Sequence, residues 1–315
     1  MLLDLLSTMR VVALPTKTNF RGVSIREVAL FKGEYGWGEF SPFLEYDATE
    51  SAPWLESAIA AATKPRPKLF RESIKINGTI PAINNPTELE QIIESFDGVE
   101  TFKVKVGENL AQDLVRLAQV RRLRPKAKLR IDVNGSWSVE TAITNLQAIY
   151  EKVGELEYVE QPCTTIAELK ELKDKVKIPL KIAGDEILRK AIDPLQVNLD
   201  GAVDILVLKV QPLGGIYKAH QIAKYFGLPV VISSALESAV GINYGLQLAA
   251  SIDNLVFDCG LGTGSLLSAD LANLPIINGE IAISEFEPNF TGVEVSPDRY
   301  EWWKNRVIQT AEKMI

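Results

Sequence analysis

From about residue 74 onward, short apolar runs alternate with stretches of helical period. The runs are "IKINGTIPA" (74–82), "ETFKVKVG" (100–107), "KLRIDVNG" (128–135), "LEYVEQP" (156–162), "LKIAGDE" (180–186), "DILVLKVQP" (204–212), "LPVVISSA" (228–235) and "NLVFDCGLG" (254–262). Their starts are spaced 24 to 28 residues apart. Between them lie amphipathic segments such as "NLAQDLVRLAQVRRL" and "SVETAITNLQAIYEKV", so the pattern predicts strand–helix units rather than hairpins. Strand–helix alternation implies a parallel sheet with right-handed crossovers, and eight such units predict a closed α/β barrel over 74–270. The first 73 residues read differently, with strand-like "RVVALP" and "VSIREVALFKG", a turn-rich "YGWGEFSPFLEYDA" and a helix "SAPWLESAIAAAT". "KPRPK" (64–68) reads as a linker. Residues 271–315 hold mixed short elements and a closing helix, and both ends are expected to pack together as a smaller α+β domain.

Polar positions inside these runs carry the chemistry. In "ETFKVKVG", Phe102, Val104 and Val106 share one face of a strand, while Lys103 and Lys105 share the other with Thr101. If the apolar face meets the helices, both ammonium groups point into the barrel. "LRIDVN" likewise puts Arg130, Asp132 and Asn134 opposite Leu129, Ile131 and Val133. The next two runs end at Glu160 and Asp185, and Lys209 closes the otherwise apolar "ILVLKV". Barrel active sites lie at the C-terminal strand ends. Strands three, four and five therefore each deliver one carboxylate to the same rim.

Converging carboxylates repel one another and take up protons unless something neutralises them. Salt bridges to Lys103, Lys105 and Lys209 are one solution. A divalent cation is the other, and hard oxygen ligands with room for water and substrate suit Mg²⁺. The lysines then stand on opposite sides of a substrate seated on the cation, Lys105 on strand two and Lys209 on strand six. Mutual repulsion, the cation and partial desolvation would lower a lysine pKa enough to make it a base. The implied reaction class is proton abstraction α to a carboxylate, the cation holding the resulting enediolate.

Composition narrows the setting. The chain has 315 residues, 46% of them hydrophobic, with a net charge of −7. That balance argues against a nucleic-acid or anionic-membrane surface and suits a soluble protein, and the partner expected from the inward-facing charges is a small-molecule carboxylate substrate. The opening "MLLDLLSTMRVVALP" is interrupted by Asp4 and Arg10 and lacks a basic leader, so it reads as a first strand, not a signal peptide. No apolar run is long enough to span a bilayer. Two cysteines, Cys163 and Cys259, suit a reduced, cytoplasmic protein. The one histidine, His220, falls on a helical segment and reads as a surface position, leaving proton transfer to lysine or carboxylate. Oligomeric state stays open, a monomer included.

Taken in order, "KVKVG", "RIDVNGSW", "VEQP", "AGDE" and "LVLKVQPLGG" resemble the successive strand motifs of the enolase superfamily. The closest likeness is to its lysine–lysine branch, which includes muconate-lactonizing enzymes, dipeptide epimerases and o-succinylbenzoate synthases. The resemblance covers nearly the whole chain. It implies a modified TIM barrel, (β/α)₇β, with an α+β capping domain, and a metal, Mg²⁺ with Mn²⁺ able to substitute, on Asp132, Glu160 and Asp185. Within that branch, "FRGVSIREVALFKGEYGWGEFSPFLEY", "ISSALESAVG" and "FDCGLGTGSLLSADL" resemble segments of the o-succinylbenzoate synthases. That implies dehydration of 2-succinyl-6-hydroxy-2,4-cyclohexadiene-1-carboxylate, a step toward menaquinone. In that pattern Lys105 is base and then acid in a syn elimination, and Lys209 stabilises the intermediate from the opposite face. N-succinylamino acid racemases share the same lysines. Dipeptide epimerases carry an Asp-x-Asp at the eighth strand, where this chain has only Asp258, and the histidine base of the mandelate-racemase branch is absent. A barrel kept only for binding would be expected to have lost a metal acid or a lysine, and none is missing.

The other candidates are less determined. Ser233, Ser234, Gly260, Leu261 and Gly262 end strands seven and eight, where hydroxyls and backbone N–H groups could meet a second substrate carboxylate, or simply form tight turns. Arg130 and Asn134 could orient substrate or ligands, or pair with neighbouring acids. Glu237 could be only a helix-start residue. Glu186 is expected to point away from the metal. Phe20, Arg21 and the "SPF" of 41–43 could act as a lid or serve domain packing.

Overall fold

The computed structural model describes residues 2–20, 22–199 and 201–314, without the side chains of residues 18–20. Arg21 and the side chain of Phe20, and with them part of the expected lid, lie outside the described residues. The chain opens on helix α1 (Leu2–Ser7), not on a strand, and β1 (Arg10–Phe20) begins only after it. The apolar run did not distinguish the two, because periodicity alone cannot tell a short buried helix from a strand. The structure settles it by burying Leu5 and Met9 together against Phe31 and Phe40.

β1, β2 (Val23–Gly33) and β3 (Gly36–Phe40) form an antiparallel sheet in that order. Helix α2 (Ala48–Thr63), capped by Asp47 accepting from the Glu50 amide at 2.8 Å, lies on this sheet. The approach is so close that a Cβ on Gly38 would stand 2.0 Å from the Ala58 carbonyl oxygen. Near the C-terminus, α10 (Pro297–Ala311) returns to the same layer, packing Trp303 and Val307 with Phe40, Trp54 and Leu55.

The remaining chain forms the barrel. Its strands are β5 (Gly78–Ile80), β6 (Thr101–Lys105), β7 (Lys128–Asp132), β8 (Tyr158–Glu160), β9 (Ile182–Gly184), β10 (Ile205–Lys209) and β11 (Val230–Ser233), all parallel and adjacent in sequence order. Between them run α3 (Pro86–Glu94), α4 (Leu110–Leu123), α5 (Val139–Val153), α6 (Ile166–Lys175), the one-turn α7 (Glu186–Arg189) and α8 (Ile216–Phe226). After β11 comes α9 (Ala239–Ala250). Leu117, Leu146, Leu169 and Ile222 from the helices pack on the outward apolar faces of the strands in one continuous core. A smaller set, Tyr158, Ala183, Ile205, Val207 and Val231 with Phe257, fills the barrel interior.

Two expected strands differ. The first run divides: β4 (Ser73–Lys75) pairs antiparallel with β12 (Glu280–Ala282), and only the later part enters the barrel as β5. The eighth run is not a regular strand. It closes the barrel through single parallel bridges, Cys259 to Ile76 and Gly260 to Ser233, and then turns into a 3₁₀ helix at 262–266. Its backbone is still paired on both sides, the Asn77 amide donating to Cys259 and the Gly260 amide to Ile232, each at 2.8 Å. The Asp258 carbonyl accepts from the Arg130 guanidinium at 2.7 Å.

Candidate active site

Register places the chemistry. Lys105 pairs with Asp132 and Asp132 with Glu160 across β6, β7 and β8, while Asp185 follows β9 directly. Lys209 ends β10 beside Ser233 of β11. In the sheet order, the three strands that deliver carboxylates therefore lie between the two that deliver Lys105 and Lys209. Asp132, Glu160 and Asp185 are almost wholly buried, with exposures of 1%, 0% and 0%.

Hydrogen bonds tie the acids to the lysines. Lys105 donates to Asp132 and, at 2.9 Å, to the Asn134 amide oxygen. Lys103 lies deeper, 2.6 Å from Glu160 and 3.5 Å from Asp132. Lys209 donates to Asp185 at 2.5 Å. Burial works against the Lys103 ammonium, but Glu160 and Asp132 outweigh it and hold its pKa above the ordinary value. Burial would likewise raise Asp132, yet Lys105, Lys103 and Lys209 together hold that carboxyl well below the usual range. Glu160 goes the other way: burial, and then the Asp132 charge, push it up to about 7. Oε1 of Glu160 is buried with no hydrogen-bond partner, and Oδ1 of Asp185 has only the Arg189 guanidinium, 3.2 Å away and poorly aligned.

Three carboxylates, one of them, Glu160, with an unpartnered oxygen and pushed toward protonation, have the donor chemistry of a hard divalent cation site. Among the described residues no three such groups converge on one point as they stand, because the ammonium groups reach in between them. The salt bridges expected as the rival reading are thus present, and they leave that Glu160 oxygen without a hydrogen bond.

The N-terminal layer roofs this rim. A cleft is lined by Lys103, Lys105, Asp132, Asn134, Lys209, Ser233, Ser234 and Gly260, and by Phe43, Tyr46 and Trp54 from above. A family model for the enolase C-terminal domain-like fold matches residues 88–295, and one for the enolase N-terminal domain-like fold matches residues 11–62. The o-succinylbenzoate synthase of Mycobacterium ulcerans is 46% identical over 311 residues, covering 96% of this chain and 93% of that protein. The chain belongs to the o-succinylbenzoate synthases of the enolase superfamily. The barrel with its capping layer also superposes on more distant members of the superfamily. The L-Ala-D/L-Glu epimerase of Bacillus subtilis, described as a substrate-liganded complex, matches at a TM-score of 0.73 with 22% identity, over 91% of this chain and 98% of that one. A dipeptide epimerase from Enterococcus faecalis complexed with Mg and a dipeptide matches at 0.71 and 20%, again over 91% and 98%.

The synthase fold sorts the remaining sequence candidates. Ser233, Ser234 and Gly260 line the cleft. Ser234 is held there by the Gly260 carbonyl at 2.7 Å and the Thr263 hydroxyl at 2.8 Å. A Cβ on Gly260 would stand 2.6 Å from the Ser233 hydroxyl, so only glycine lets these strand ends approach. Three substrate-contact expectations are corrected. Arg130 has no exposed surface and lies a layer below the rim, bonded to Glu157, Asn77 and the Asp258 carbonyl and stacked 4.7 Å from the Tyr158 ring centroid. It shares the Asp132 face but sits two residues earlier on β7, which buries it in the barrel interior. Leu261 and Gly262 also face away from the cleft, the first packed on Gly245 and the second against Ile76 and Asn77. Glu186 does not point away from the rim: it accepts from Asn134 at 3.1 Å and from Arg189 at 2.7 Å. His220 is half-buried rather than on the surface, bonded to Ser251 at 2.8 Å, and takes no part in the cleft.

Several cleft residues had no sequence signal strong enough to single them out. Thr79, Arg189, Tyr46, Trp54 and Thr263 line it. Arg189 pairs with Asp185 at 3.2 Å across a single helical turn, an i,i+4 spacing that a helix prediction after "GDE" would have exposed. Gln161 of "VEQP" accepts from the Asp185 amide at 3.1 Å and so fixes the strand end carrying that acid.

Glu237 is buried at the start of α9, accepting from the Ala235 amide at 2.5 Å, so the helix-start reading describes its place but not its burial. Burial, and then Glu39, push its carboxyl up to about 7. Between its ordinary pKa of 4.5 and about 7 the folded chain keeps a proton there that the unfolded chain has released. Its contribution to stability is therefore full below that ordinary value and is lost as pH rises through about 7. Glu237→Gln is expected to remove that decline, on the order of 3 kcal/mol. Urea unfolding at pH 5 and pH 7.5 checks it, and an unchanged pH slope would contradict it.

Proposed function

We propose that this chain removes water from 2-succinyl-6-hydroxy-2,4-cyclohexadiene-1-carboxylate to give o-succinylbenzoate, a step toward menaquinone, with Mg²⁺ held by Asp132, Glu160 and Asp185. The observation that carries the reading is the strand order: three carboxylate ends flanked by Lys105 on one side and Lys209 on the other. When bound, the cation supplies Lewis-acid polarisation of the substrate carboxylate. Lys105 takes the proton from the carbon α to that carboxylate and gives a proton to the departing hydroxyl on the same face, so water leaves and Lys105 ends as it began. Lys209, anchored by Asp185, keeps its charge and stabilises the negative charge that develops between the two steps. Lys103, paired with Glu160 at the floor of the cleft, keeps positive potential beneath the site. Asn134 orients Lys105, and the Ser233 hydroxyl receives the succinyl carboxylate, while Ser234 and Gly260, bonded to each other, shape that end of the cleft. The roof of Phe43, Tyr46 and Trp54 keeps bulk water from the reacting carbon.

The two opposed lysines also suit racemisation of N-succinylamino acids, in which each face of the α-carbon exchanges a proton. One preparation assayed on both substrates separates the readings. Dehydration is expected to exceed racemisation in kcat/KM, and a faster racemisation would overturn the assignment of substrate.

A further inference from the structure

The loop over residues 41–47 forms the roof of the cleft. It is tied at its start by Ser41 to Gln211 and Glu39, and it holds a turn in which the Tyr46 amide donates to the Phe43 carbonyl at 3.1 Å. Phe43 and Tyr46 pack edge-on with each other and with Trp54 of α2, ring centroids 5.5 to 6.2 Å apart, as one aromatic wall facing Lys105 and Lys209. Arg189 reaches the Tyr46 hydroxyl at 3.5 Å, and two further arginines hold the backbone of this loop. Arg26 of β2 donates to the Ser41 carbonyl and lays its guanidinium 4.6 Å from the centroid of Phe43. Arg306 of α10 donates through one nitrogen to the Phe43 carbonyl at 2.7 Å, the Tyr46 carbonyl at 2.9 Å and the Ser51 hydroxyl at 3.3 Å.

Arg306 is an expensive way to hold a helix in place. It is 8% exposed, every acceptor it uses is neutral, and its second terminal nitrogen is buried without a partner. Burying a guanidinium without an ion-pair partner costs stability, and an apolar side chain of similar size in the same slot commonly does as well or better. What the guanidinium does supply is a fixed point for two carbonyls of the loop that carries the wall. Trp303, next to it on the helix, already supplies the packing that joins α10 to the cap.

We propose that Arg306, in the last helix of the chain, is a positioning residue for the substrate pocket: it sets the aromatic wall against which the unsaturated ring of the substrate packs. The identity of that ring rests on the dehydration reading above. The C-terminal helix thereby belongs to the binding site, although no residue of α10 lines the cleft. A wall that contacts the ring equally before and during reaction contributes to binding rather than to the chemical step.

The test is steady-state kinetics on Arg306→Met, Arg306→Lys, Tyr46→Leu and the Arg306→Met/Tyr46→Leu double variant. Arg306→Met is expected to raise KM about tenfold while kcat stays within about threefold, as for loss of uniform binding. Arg306→Lys, whose ammonium has the donors for both carbonyls but sits on a more flexible stem without the planar head, should fall between. In the double variant the KM effects should not add, because both changes disturb the same wall. A folded Arg306→Met with wild-type KM would overturn the proposal, even if its thermal midpoint falls, since a merely structural residue behaves that way. A fall in kcat at constant KM would also overturn it. If Arg306→Met does not fold, unchanged KM in both Arg306→Lys and Tyr46→Leu overturns it. A wild-type chain that racemises but does not dehydrate would overturn the substrate assignment alone, since the same comparison is then made on the racemised substrate.

Discussion

Lys105→Ala is expected to lower the kcat for dehydration by at least about 10³-fold, in a chain that folds as the wild type does, since general acid–base groups contribute ~10²–10⁴ and this one is used twice. The fold should survive because Lys105 sits at the rim, 20% exposed, and not among the packed side chains of the interior. Removing it leaves Asp132 still 3.5 Å from Lys103. The arginine variants divide the labour between the two lysines. Arginine keeps the charge but cannot act as a base, so Lys105→Arg should be nearly as damaging as Lys105→Ala. Lys209 moves no proton in a syn elimination, so Lys209→Arg should retain substantially more activity. A racemase uses both lysines as proton carriers, and both arginine variants would then be equally inactive in racemisation. Circular dichroism and kcat for the three variants decide the matter. Substantial dehydration by Lys105→Arg with none by Lys209→Arg would reverse the roles.

Removal of divalent cations by a chelator is expected to abolish turnover, and Mg²⁺ or Mn²⁺ to restore it. Glu160→Gln should have a comparable effect, about 10²–10⁴-fold in kcat/KM, corresponding to several kcal/mol of lost charge stabilisation. The substitution is close in shape, and Lys103, which loses its 2.6 Å partner, keeps Asp132 at 3.5 Å, so an intact fold is expected. Cation titration followed by calorimetry separates a lost ligand from a lost fold. Full turnover in excess chelator, or wild-type activity in Glu160→Gln, would remove the cation from the site.

Much of this was written in local pattern. Period-two alternation within strands buried on both faces separates Lys103, Lys105, Asp132 and Lys209 from the apolar residues between them. Because that period is strict, the direction in which each side chain points followed from the sequence. The barrel rule then placed the ends of the strands at one rim. The acids at the ends of β7, β8 and β9 and the lysines of β6 and β10 were legible for that reason alone. Local pattern could not give depth within the barrel. Arg130 and Asp132 share a face, and only the stagger of the strands decides that one lies in the packed interior while the other reaches the rim. Nor could it determine whether the apolar start was helix or strand, since burial of Leu5 and Met9 against the cap decided it.

What remained was set by contacts across long stretches of chain. Arg189 reaches Tyr46 at 3.5 Å across 143 residues, and Arg306 reaches Phe43 across 263. Neither pairing has a local periodicity to announce it. The eighth strand shows the same division: its sequence resembles the others, but it pairs only through single bridges before the 3₁₀ turn at 262–266 ends it. By itself the sequence determined which side chains the barrel would present, because strand alternation is a property of neighbouring residues. Only the tertiary structure decided how deep each lies and what roofs them, because those depend on strand stagger and on the return of a helix from the far end of the chain.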